Sequence, residues 1–118
     1  MKLRARTVDL ASSPEAVKPY LGQTLVTAGK DYDAQALATY EGVVLYQIVD
    51  DAELPGWKPA WLFDVIEPTM PDDWIARTFH DEPSLVIGPA FVAETLEAYR
   101  AMVELEPEQV DRFWKRVG

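Results

Sequence analysis

Seven consecutive residues, Val43-Val44-Leu45-Tyr46-Gln47-Ile48-Val49, carry a single polar side chain, and most of the others are β-branched or aromatic. Such residues lose little side-chain freedom on a pleated surface and crowd the preceding turn of a helix, so the run is a strand. Its flanks then constrain its neighbours. Glu41-Gly42 is a turn pair, and the segment from Asp50 to Gly56 gathers turn formers and three carboxylates, so the chain reverses on both sides of the strand. With Ala36 to Tyr40 before it and Trp57 resuming an extended course after it, the pattern is an antiparallel β-meander.

The remaining pattern adds strands before the meander and helices after it. Residues 2 to 9 and 23 to 28 read as strands, separated by a short helix with Ser13 as N-cap and Pro14 at its first position. Pro19 and Gly22 end that helix, and residues 29 to 33 form a polar loop. Beyond Pro68, residues 69 to 74 begin like a helical turn, and residues 74 to 79 and 84 to 87 read as two further strands. Apolar residues then recur at helical spacing, which predicts helices over 95–104 and 107–117. Pro107 opens the second of these, Gly118 caps it, and Trp114 lies in its apolar stripe as a core residue. The expected fold is α+β: a small antiparallel meander or partial barrel with a C-terminal pair of helices packed on it. The 118 residues make one domain, mainly β over 1–88 and mainly helical over 89–118.

The stretch Gly56-Trp57-Lys58-Pro59-Ala60-Trp61-Leu62-Phe63-Asp64-Val65-Ile66 resembles the closing segment of SH3-like barrels. There a glycine and an aromatic precede a Pro-Ala or Pro-Ser pair, an aromatic 3-10 turn and a last short strand. The resemblance implies an SH3-like partial barrel spanning at most Tyr20 to Glu67. The Ala-Leu-Tyr-Asp-Tyr type of segment found in peptide-binding SH3 domains is missing, so recognition of proline-rich peptides does not carry over.

Composition excludes several chemistries. The chain has no cysteine, which removes disulfides, thiolate metal sites and cysteine nucleophiles. Eleven Lys and Arg against twenty Asp and Glu give a net charge of −9, which repels nucleic-acid backbones. No apolar run is long enough for a membrane span, and the opening MKLRARTVDL lacks the apolar core of a signal peptide, so the expected location is cytoplasmic. Residues 1 to 49 are electrically balanced, whereas residues 50 to 111 hold fifteen acids against Lys58, Arg77 and Arg100.

Candidate chemistry is sparse. His80 is the only histidine, and its neighbours Asp81 and Glu82 point to different faces of an extended segment, so they do not converge on one ion. The serines fall outside a Gly-x-Ser-x-Gly turn, the six glycines form no phosphate cradle, and Asp50-Asp51 and Asp72-Asp73 lack the spacing of a calcium loop. No cofactor or metal site is expected. The stronger signal is an aromatic and acidic one: Trp57 and Trp61 beside Asp50, Asp51 and Glu53, a mixture of anchor and rim found at protein interfaces. These five residues are the expected partner-binding site. The leading expectation is a non-catalytic module, of an immunity or inhibitor type, that docks on a basic protein. One alternative is a small enzyme or ligand binder using His80 with Asp81 or Glu82. Another is a structural subunit that self-associates through Trp57 and Trp61.

Overall fold

The computed structural model describes residues 1–118 and has two antiparallel sheets with a helical layer. Its elements are β1 (Lys2–Ala5), β2 (Asp31–Asp33), β3 (Ala36–Tyr40), β4 (Val43–Val49), β5 (Pro55–Pro59), β6 (Phe63–Glu67), β7 (Ile75–Thr78), β8 (Leu85–Gly88), α1 (Ala90–Ala93), α2 (Leu96–Val103) and α3 (Pro107–Val117). One sheet has the order β2-β1-β6 and the other β5-β4-β3-β8-β7, and neither closes into a barrel. The fold is therefore α+β with the expected meander and C-terminal helices. After β5 the chain makes the 3-10 turn Ala60–Leu62 and enters strand β6, which pairs with β1 without closing a barrel.

The central strand β4 is buried on both sides. Tyr46 and Ile48 face the small sheet and join Leu3, Ala5, Tyr32 and Phe63 in one core. The alternate residues face the other way, where Val43 and Leu45 pack against Val17. Beside them, Ala36, Ala38 and Val86 support the helices through Val92, Met102 and Phe113. Small residues at Ala36 and Gly88 let β3 and β8 approach closely, and a Cβ added at Gly88 would lie 2.8 Å from that of Ala36. Gln109 secures α3 by donating through Nε2 to the carbonyls of Phe91 at 2.7 Å and Ala98 at 3.0 Å.

Several local expectations are corrected. β1 ends at Ala5, because the chain turns into a 3-10 segment over Leu10–Ser12. Asp9 caps that segment by accepting from the Ala11 N–H at 3.1 Å, and Ser13, expected to cap a helix opening at Pro14, instead closes the same segment at its C-terminal end. The helix expected after Pro14 shrinks to a second 3-10 turn, Lys18–Tyr20, since Pro19 within it has no N–H to extend a helix. Residues 23 to 28 join no sheet. Leu25 takes φ 55°, which breaks a strand, and the Thr27 N–H donates to the Tyr32 hydroxyl at 2.8 Å instead of to a ladder. The expected loop over 29 to 33 contains β2. Asp31 lies across from Arg4, whose Nε donates to its Oδ1 at 2.7 Å, and Tyr32 is buried beside it, so one cross-strand ion pair and one buried aromatic support a strand in a polar triplet. Residues 72 and 73 form only a turn.

Gln47 is fully buried on β4 opposite Trp57, and neither its amide atoms nor the Trp57 Nε1 has a hydrogen-bond partner in the chain. A buried amide without partners is destabilising by about 1–3 kcal/mol, so Gln47→Met, of similar volume, should raise unfolding stability by about 1–2 kcal/mol in urea titrations. A loss of stability in that variant would show that the amide is satisfied in solution. Gly88→Ala should lower stability by about 1–3 kcal/mol through the clash with Ala36.

Candidate functional site

The turn between β4 and β5 begins with the expected acidic triad, and its three carboxylates have different surroundings. Asp50 is buried. Its Oδ1 accepts from the N–H groups of Ala52 at 2.9 Å and Leu54 at 3.2 Å, and Lys58 Nζ reaches its Oδ2 at 3.3 Å. It closes the turn from a buried position. Asp51 is partly exposed and accepts three hydrogen bonds, from Thr27 Oγ1 at 2.7 Å, the Tyr32 hydroxyl at 2.7 Å and Lys30 Nζ at 3.0 Å. These donors hold its pKa down at about 2, because each favours the ionised carboxylate. Its backbone N–H also donates to Leu25 O at 2.8 Å, so Asp51 fastens segment 25–32 to the turn. Glu53 alone is exposed with no side-chain partner, and it sits at φ 60°, in the left-handed region.

Glu53 projects beside a cleft of about 360 Å³ formed by β2, the end of β4 and the last turns of α3. Its polar side carries four acids and Lys30; Asp31, Asp50 and Lys30 are paired within the chain, whereas Asp33 and Glu53 have no side-chain partner, and Val49, Trp114 and Val117 form its apolar side. Trp114 is half-buried and meets Phe113 edge-on at 5.4 Å, so Phe113 fills the core while the indole walls the cleft. Trp114, expected from the helical stripe as a core residue, stands on the cleft wall instead, since neighbouring residues on a helix diverge by about 100° and Phe113 takes the inward place. Asp33 was hidden by the loop expected over 29 to 33; its position opposite Lys2 is the signal that would have revealed it.

The other expected anchors lie elsewhere. Trp57 is half-buried and packs at 5.2 Å on Tyr99, whose hydroxyl is pushed up to about 12 by burial. Trp61 donates through Nε1 to Ser13 Oγ at 3.0 Å and carries the Arg6 guanidinium over its ring. Both rings are thus engaged within the chain and neither lines the acidic cleft. His80 is exposed in the β7–β8 connection, and Glu82 beside it accepts from the Glu41 N–H at 3.0 Å instead of turning to the imidazole. No three His, Asp or Glu side chains converge closely enough to hold a metal ion, and no helix is long and apolar enough to cross a membrane.

Together the two antiparallel sheets, the C-terminal helices and an acid-rimmed cleft define an α+β protein. No protein-family model, curated protein or solved structure matches the chain.

The depressed pKa of Asp51 gives a pH dependence of defined sign. Its ionised form is preferentially held in the folded state, so its contribution is complete above its ordinary pKa near 3.8 and is lost as pH falls towards 2. Asp51→Asn should therefore be less stable than the parent at pH 7, and the difference should shrink between pH 4 and pH 2. Urea midpoints followed by circular dichroism across that range test this; a difference that stays constant with pH would contradict it.

Proposed function

We propose that the protein is a non-catalytic binding module of the immunity or inhibitor type, and that its partner is a basic protein surface engaged at the acidic cleft. The observation that supports this most is the pairing, in one cleft, of the unpartnered carboxylates of Asp33 and Glu53 with the indole of Trp114. Carboxylates at the rim attract a guanidinium or ammonium group, and an aromatic face beside them stabilises the same cation after contact. The uneven charge of the chain extends the attraction beyond the cleft, since the excess of acids falls in residues 50 to 111.

The five residues expected at the interface then divide by role. Glu53 faces the partner, with Asp33 and Trp114 as its companions. Asp50 and Asp51 act from behind by fixing the turn that presents Glu53. Trp57 and Trp61 support the scaffold. Glu53 occupies a backbone conformation that glycine adopts at lower cost, which is consistent with a residue kept for its side chain rather than for the turn.

A hexa-arginine peptide serves as a probe of this cleft in an amide NMR titration. Shifts should saturate and concentrate on residues 31–35, 49–54 and 114–117 and on the Trp114 indole, and the affinity should fall as salt rises. Asp33→Asn with Glu53→Gln should weaken binding by about three- to tenfold, as expected for exposed charge pairs, without loss of stability. Shifts spread evenly over the acids of residues 64 to 111, or a double variant that binds as well as the parent, would defeat the proposal.

A further inference from the structure

Arg6 follows β1 directly, and its environment is unlike that of most cations in the chain. Its backbone N–H donates to Leu62 O at 2.9 Å, and its Nε donates to Trp61 O at 2.7 Å. The guanidinium lies 4.2 Å from the centroid of the Trp61 ring. That ring is itself fixed through Ser13, whose Oγ accepts from the indole and donates to Asp9 O at 2.8 Å. The half-buried guanidinium is therefore held from below and along one edge. Arg4, Lys30, Lys58 and Arg116 each meet a carboxylate at 3.3 Å or closer, whereas Arg6 meets none, although acids outnumber bases twenty to eleven. Its two terminal nitrogens make no hydrogen bond within the chain.

Arg6 lines a cleft of about 310 Å³ between residues 6–10 and 21–28. Val8, Leu10, Leu21, Val26 and Leu62 make it mainly apolar, and Leu10 at its mouth is 60% exposed. The size is at the lower end for small-molecule sites. At about 30 Å³ for each water-sized group it admits on the order of ten heavy atoms. A pinned cation with free donors on the wall of an apolar cleft is complementary to one anionic head on a short apolar body. The planar fork of a guanidinium matches a carboxylate, which accepts two parallel N–H bonds from it.

We propose that this cleft binds a small amphipathic monocarboxylate, with its carboxylate on the terminal nitrogens of Arg6 and its apolar body against Leu10, Val26 and Leu62. The site shares no lining residue with the acidic cleft and does not depend on the proposed protein partner.

Octanoate, octan-1-ol and octylamine provide matched probes with one tail and three heads. In amide NMR titrations of the full chain, octanoate should give saturable shifts centred on Val8, Leu10, Leu21 and Val26. Octanol and octylamine should bind at least about tenfold more weakly, the loss expected when a charge-assisted hydrogen-bond pair is absent. Arg6→Gln should reduce octanoate to the level of octanol and leave octanol unchanged. The comparison of heads on the parent protein decides the matter even if that variant fails to fold. Equal binding of octanol and octanoate to the parent, shifts located away from the cleft, or no saturable shift with octanoate would each overturn the proposal.

Discussion

Most of the structure depends on β4 being enclosed on both faces. A strand with one wet face can shift by two residues at modest cost, but here Tyr46 and Ile48 belong to one core while Val43 and Leu45 belong to another. Any slip would misplace both sets together. The strand therefore sets the positions of its neighbours: β5 begins at Pro55 opposite Val49, and the turn between them is placed at the mouth of the acidic cleft. The same enclosure strands the Gln47 amide in the interior, a polar group in an otherwise apolar wall.

Charge in this chain serves two purposes that sequence position alone does not distinguish. Asp50, Asp51, Asp31 and Asp73 are committed to partners within the fold, with Lys58, Lys30, Arg4 and Arg116 respectively. Asp33 and Glu53 have no such commitment and face a concave surface. A net charge counts all of them equally. Hydrogen bonding separates them: of the three acids in the β4–β5 turn, Asp50 and Asp51 are bonded within the chain and Glu53 alone has a free carboxylate.

The parts legible in the sequence were those with strong local signals. The run 43–49 is dense in β-branched residues between two turns, and the helix 107–117 has a proline at its start and a glycine at its end, so both appear where expected. β2 was illegible because Asp31 and Asp33 are poor strand formers whose partners, Arg4 and Lys2, lie far away in the chain. Residues 23 to 28 misled for the opposite reason: their pattern suits a strand, but Leu25 adopts a left-handed conformation and the Thr27 N–H goes to a tyrosine hydroxyl. The tryptophans stand out in the sequence, yet their orientation depends on tertiary neighbours such as Ser13, Arg6 and Tyr99.

The small sheet has no hairpin of its own. β1 meets β2 by pairing Leu3 with Tyr32 and meets β6 by pairing Ala5 with Phe63, so each ladder closes a long loop. In the larger sheet, β3, β4 and β5 pair through adjacent turns and lose far less chain entropy on closing. The kinetic order follows: the meander assembles early, and the three-stranded sheet is completed late and opens first when the molecule fluctuates. β2 and Arg6 both belong to that late region, so each of the two clefts has a wall in the least local part of the fold. Recognition at either cleft would then slow amide exchange at residues 2–5, tightening a region of the molecule that the meander alone leaves loose.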